Sequence, residues 1–104
     1  ACELSYGRRR ALELATTLAL KPDVMLLDEP MAGVGHEDIE RIAAIIKKAS
    51  IGRTVVMIEH NLSVVEDVCD RITVLQRGEI LADGTYSEIS SDSRVREAYM
   101  GSEA

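Results

Sequence analysis

Two short apolar runs, Val24-Met25-Leu26-Leu27 and Thr54-Val55-Val56-Met57-Ile58, flank a segment of helical spacing, and this pattern constrains the chain more than any other. Between them Ile39, Ile42, Ala43 and Ile46 recur on one face of a helix expected over residues 37–49. Glu37, Asp38 and Glu40 near its start and Lys47 and Lys48 near its end complement the helix dipole. Continuous apolar runs bounded by turn residues suit strands buried on both faces. Two strands joined through a helix cannot form a tight hairpin, so a parallel pair linked by a right-handed crossover is expected. The chain is therefore read as α/β.

The flanking segments fit that class. A first helix is expected over residues 8–20, stopped by Lys21-Pro22-Asp23, because the residue before proline disfavours helical geometry. After the second strand, Ser63 and Glu66 have capping-box spacing, as do Thr85 and Glu88, and each marks a short helix. Residues 71–75 and 79–82 suit a hairpin around Arg77-Gly78, and a last helix is expected over residues 93–100, ended by Gly101. The expected organisation is thus parallel strands with helices, followed by a C-terminal hairpin and short helices.

Composition narrows the function. The 104 residues are 46% hydrophobic and 29% charged, which suits a folded chain rather than a disordered one. The net charge of −6 does not favour nucleic acid as a partner, since that binding rests on basic side chains meeting phosphates. Cys2 and Cys69 match no metal spacing; Cys69 falls in an apolar helical stretch and is expected to be a buried thiol. No apolar run approaches the roughly 18–20 residues needed to cross a bilayer. Work at a membrane would therefore require docking onto a partner.

Three places carry chemistry. The first strand runs directly into Asp28-Glu29, at the carboxyl edge where open α/β sheets bind ligands. Adjacent acids there repel each other unless a cation is present. Mg²⁺ suits the position, because it takes carboxylates together with substrate phosphates. One carboxylate would then serve the metal and the other orient or deprotonate a water. The alternative is that both acids cap a turn in solvent. The second strand ends in Glu59-His60, which places His60 on the same edge, as a donor to a phosphate or water or else as a structural histidine. Finally, Leu4-Ser5-Tyr6-Gly7-Arg8 leads into a helix whose first turn receives anions well, although a plain N-cap also explains it. Gly33-Val34-Gly35 imitates a dinucleotide-binding turn, but Asp38 stands where the third glycine belongs.

In this order and spacing the motifs resemble the ABC-type ATPase family. Leu4-Ser5-Tyr6-Gly7-Arg8 resembles its signature motif, and Val24-Met25-Leu26-Leu27-Asp28 resembles Walker B. Glu29 stands in the place of the catalytic glutamate, residues 32–35 in that of the D-loop, and His60 in that of the switch histidine. Glu29-Pro30-Met31-Ala32-Gly33, Ile58-Glu59-His60-Asn61 and the tail from Val95 to Gly101 are similar to importer subunits for branched-chain amino acids. The resemblance implies a P-loop NTPase fold, in part, and a cytoplasmic subunit on the inner face of the membrane. Two such subunits enclose ATP head to tail and drive transmembrane permease subunits. Asp28 would hold Mg²⁺, Glu29 would polarise the attacking water, and His60 would contact the γ-phosphate. Ser5, Tyr6, Gly7 and Arg8 would meet the ATP of the opposite subunit.

The 104 residues contain no G-x-x-x-x-G-K-[ST] phosphate loop, and the family's glutamine loop and adenine-stacking aromatic residue are missing with it. All three precede the signature in the family. Residues 1–104 are therefore expected to form the C-terminal part of a single nucleotide-binding domain, inactive alone. The strand that carries the phosphate loop would lie beside the His60 strand, so self-association through an open edge is expected. Gly35 stands where the family usually has Asp or Asn, and Tyr6 and Arg8 replace the usual Gly and Gln of the signature. Two other readings stay open: an ABC-class ATPase outside transport, and a non-catalytic dimerisation or interaction fragment.

Overall fold

A computed structural model describes residues 5–100, without the side chain of Met100. Leu4 of the signature-like motif, Cys2 and the expected helix end at Gly101 lie outside the described residues. The described residues form two compact units, divided between Val64 and Val65.

In the first unit, helix α1 (Tyr6–Leu18) is followed by strand β1 (Val24–Asp28), helix α2 (His36–Ala49) and strand β2 (Thr54–Ile58). Ser5 starts α1 by accepting a 3.2 Å hydrogen bond from Arg8 N–H, satisfying one of the first-turn donors that lack a helical partner. The helix stops two residues earlier than its composition suggests. Lys21 adopts a left-handed φ of 52° and closes the turn by donating to the Leu18 carbonyl, which brings the chain to Pro22 in an extended path. Helix α2 buries Ile42, Ala43, Ile46 and Ala49 on one face and packs on α1. Leu14, Met25, Met31 and Val64 are buried in the same unit.

Strands β1 and β2 are parallel, with Val24 opposite Thr54 and Asp28 opposite Ile58, as the intervening helix requires. Their burial corrects the sequence expectation. Both strands alternate rather than being covered on both faces. Met25 is 3% exposed, whereas Leu26 is 76% exposed and Val24, Val56 and Ile58 are also open. Among the described residues β1 and β2 pair only with each other, so only one face and one edge of each strand are covered.

Helix α3 (Leu62–Val68) begins at Asn61, whose side-chain oxygen accepts from Val64 N–H at 3.3 Å and from the Ser63 hydroxyl at 2.8 Å. Ser63 therefore lies inside the helix and is not its cap, because Asn61 takes that place two residues earlier. Cys69 follows the end of α3 and is half-buried, not buried within a helix as its apolar neighbours suggest.

The second unit holds an antiparallel hairpin, β3 (Ile72–Gln76) and β4 (Glu79–Gly84). Arg77 (φ 53°) and Gly78 (φ 80°) form its two-residue turn, both left-handed as a tight hairpin demands. A register shift falls between Val74 and Leu75. Helix α4 (Tyr86–Ser90) has the expected capping box: Thr85 accepts from Glu88 N–H, and the Glu88 carboxylate accepts from Thr85 N–H at 2.9 Å. The expected last helix is divided into a short α5 (Ser93–Val95), capped by Asp92, and one π-helical turn, Arg96–Met100. Arg94 beside Asp92 holds that carboxyl down at about 2. Tyr99 donates its hydroxyl hydrogen to the Leu75 carbonyl, tying this turn to the hairpin. No helix among the described residues is long and apolar enough to cross a membrane.

Candidate functional site

Because β1 and β2 run in step, they deliver the residues at their carboxyl ends to one edge of the sheet. Asp28 is the last residue of β1 and its side chain is exposed. Glu29 continues the ladder, donating its N–H to the Ile58 carbonyl at 2.7 Å. Its own carbonyl accepts from Ala32 N–H at 3.0 Å, which closes a turn with Pro30 and Met31 at its centre. Between these two bonds Glu29 adopts φ 47°, a left-handed conformation costing a residue with a Cβ about 1–2 kcal/mol. Such strain persists only where neighbouring bonds impose it, and it gathers at functional sites. Nothing in the residue type announces it.

The carboxylate so placed meets His60. Glu29 Oε1 and His60 Nδ1 are 2.7 Å apart, with the imidazole 74% and the carboxylate 45% exposed. An ionised carboxylate only accepts, so Nδ1 carries the proton in this contact and Nε2 is left facing outward. Strand-end spacing in the sequence puts these two side chains on one edge, and the structure joins them directly.

Glu59 has no role in the sequence beyond marking a strand end. Its side chain is only 2% exposed. One oxygen accepts from Met31 N–H at 3.3 Å, and the other accepts from His60 N–H at 3.0 Å and Asn61 N–H at 3.3 Å. An acid after an apolar strand reads as exposed, and only the fold reveals that it turns inward.

The signature-like segment is built differently. Ser5 is committed to capping α1, and Arg8 and Arg9 are exposed. Arg10 turns back instead, donating to the Tyr6 hydroxyl at 2.7 Å and to Glu13 at 3.3 Å. Gly7 is buried because α2 presses against it: a Cβ there would stand 2.3 Å from the Asp38 carboxylate. The Tyr6 ring lies beside Gly33, whose φ is 78°. Residues 5–8 are thus seated against the loop and first turn of α2. Among the described residues no hydrogen bond or ion pair joins them to Asp28, Glu29 or His60. A hollow of about 190 Å³ between α1 and β1 reaches Asp28 and Arg10.

No three His, Cys, Asp or Glu side chains gather into a metal-ligand group among the described residues. An exposed aspartate at a strand end therefore fits a hard cation held chiefly by phosphates and water, and does not fit a cation held by protein alone.

Known proteins resemble this chain along most of its length. The family model for the ABC transporter matches residues 1–32, and the model for the branched-chain amino acid ATP-binding cassette transporter matches residues 79–104. The chain is 37% identical over 100 residues to the high-affinity branched-chain amino acid transport ATP-binding protein BraF of Pseudomonas aeruginosa, covering 94% of this chain and 39% of that one. It is 38% identical over 101 residues to the lipopolysaccharide export system ATP-binding protein LptB of Haemophilus influenzae, covering 94% and 41%. A solved ATP-binding cassette of an ABC transporter, in its ADP conformation, superposes with a TM-score of 0.81 at 32% identity, covering 95% of this chain and 41% of that one. The fold is that of these cassettes in part, and the chain spans about two fifths of the length of these relatives.

The left-handed backbone at Glu29 is open to test by substitution. Both Glu29→Gly and Glu29→Ala remove the carboxylate, so their difference isolates the backbone. Glu29→Gly is expected to be the more stable by about 1 kcal/mol in denaturant unfolding. Equal stabilities, or a more stable alanine variant, would contradict the conformation described.

Proposed function

The chain belongs to the ATP-binding family of ABC transporters, and we propose that it is the C-terminal part, residues 1–104, of a single nucleotide-binding domain that hydrolyses ATP to drive transport. The observation that carries this reading is the 2.7 Å contact of Glu29 with His60 immediately after Asp28. It supports the reading because two carboxylates and an imidazole then lie at the edge where strand ends meet a ligand.

In this reading Asp28 holds Mg²⁺, which when bound offsets charge on the phosphates of ATP. Glu29 accepts a hydrogen bond from the attacking water and takes its proton as the bond to the γ-phosphorus forms. His60, bonded through Nδ1 to Glu29, would donate from Nε2 to the γ-phosphate as the doubly protonated imidazolium, in which both ring nitrogens are donors. Ser5, Tyr6, Gly7 and Arg8 serve the ATP of a second ATPase subunit, arranged head to tail. Their seat against the start of α2, through Gly7 and Asp38, makes them a preformed edge rather than a mobile one. The protein acts at the cytoplasmic face of a membrane, docked on transmembrane permease subunits.

Branched-chain amino acids are the proposed cargo. Support comes from the tail, whose residues 79–104 match the branched-chain amino acid cassette model, and from the similarity to BraF. Lipopolysaccharide export is the second reading, favoured by the comparable identity to LptB.

In the intact ATPase, Glu29→Gln is expected to lower kcat by about 10²–10⁴-fold, as for loss of a general base, while Mg²⁺-ATP affinity holds. Unchanged turnover would refute the assignment. The 104-residue chain, with no phosphate loop in its sequence, is expected to show no Mg²⁺-ATP binding by calorimetry; micromolar binding would contradict the partial-site reading.

The open edges of β1 and β2, with Val24, Leu26, Val56 and Ile58 exposed, also support self-association of this chain. Light scattering is expected to give a mass above 11.4 kDa that falls on Leu26→Lys. A monodisperse monomer would contradict it.

A further inference from the structure

We propose that Glu59 is the positioning residue of this site, holding Glu29 and His60 in their mutual geometry through the backbone of both strand-end turns. This inference rests on the reading of Glu29 and His60 as the hydrolytic pair.

The turn after β1 leaves one donor without an internal partner. The bond from Ala32 N–H to the Glu29 carbonyl closes the turn, Pro30 has no N–H, and Met31 N–H stays unused within it. Met31 is 6% exposed, so water does not satisfy that donor. The Glu59 carboxylate does, reaching across from the end of the neighbouring strand. Its other oxygen gathers the N–H groups of His60 and Asn61, the two residues that carry the chain away from β2. One buried side chain therefore clamps the turn carrying Glu29 to the turn carrying His60.

Backbone donors meet this buried side chain. Its neighbours are three backbone N–H groups, and the His60 ring nitrogen is 3.9 Å away. Burying a carboxylate is costly unless its lone pairs are filled, and three donors fill most of them. A plain cap on the second turn would need only the bonds to His60 and Asn61. The bond to Met31 goes further, because it fixes the turn in which Glu29 is held at φ 47°. Glu59 touches neither water nor phosphate in this scheme, and it acts through the two residues that do.

Glu59→Gln keeps the volume but replaces one accepting oxygen with an amide that cannot accept. Hydrogen exchange at Met31 N–H in the chain is expected to rise about tenfold or more, as for a buried donor that loses its acceptor. Exchange at Ile42 and Ile46 should stay as in the unsubstituted chain. In the intact ATPase the same variant is expected to lower kcat by about tenfold, with KM for ATP held, since misplaced groups slow chemistry more than they weaken binding. Should Glu59→Gln fail to fold, Glu59→Asp retains the charge and loses the reach to Met31, and the same pattern is expected. Unchanged Met31 exchange overturns the proposal, and so does an equal rise at Met31, Ile42 and Ile46, which would mark a role in stability alone. An unsubstituted ATPase without turnover would refute the proposed function, while Met31 exchange would still decide whether Glu59 holds the two turns.

Discussion

The in-step pairing of β1 with β2 is the constraint that builds the site. Asp28 stands opposite Ile58, and the ladder runs one bond further, from Glu29 N–H to the Ile58 carbonyl. A slip of one residue would turn each side chain to the other face of the sheet and send Glu29 away from His60. Helix α2, which connects the two strands, buries Ile42, Ala43, Ile46 and Ala49 and packs on α1. A site built from residues 31 positions apart thus depends on a five-residue ladder.

That ladder is narrow. Two parallel strands alone make a weak sheet, and here one face stays open. Continuous apolar runs such as Val24–Leu27 carry the pattern of a strand covered on both sides. The described residues supply one of the two covers. The chain spans about two fifths of its relatives' length.

Much of this is legible in the residues. Period and run length locate both central strands, the amphipathic helix between them and the hairpin, and strand-end placement brings Asp28, Glu29 and His60 to one edge. The features that escape have specific causes. Asn61 outcompetes Ser63 as a cap because both are good caps two residues apart, and the choice depends on the path leaving β2. The left-handed backbone of Glu29 is imposed by bonds to Ile58 and Ala32, and no propensity of glutamate hints at it. Glu59 turns inward because Met31 N–H needs an acceptor, a requirement that exists only once the two turns lie side by side. Gly7 suggests a residue that lets a ligand approach, whereas the space of its missing side chain is filled by Asp38 from a helix some thirty residues on.

The meeting of Glu29 and His60 is the claim on which the functional reading stands, and the ring of His60 reports it directly. Long-range proton–nitrogen NMR of the neutral imidazole distinguishes which ring nitrogen carries the proton. Protonation at Nδ1, held by Glu29, is expected, with a shift toward the Nε2-protonated form in Glu29→Ala. A ring protonated at Nε2 in the unsubstituted chain, and indifferent to Glu29→Ala, would contradict the pairing.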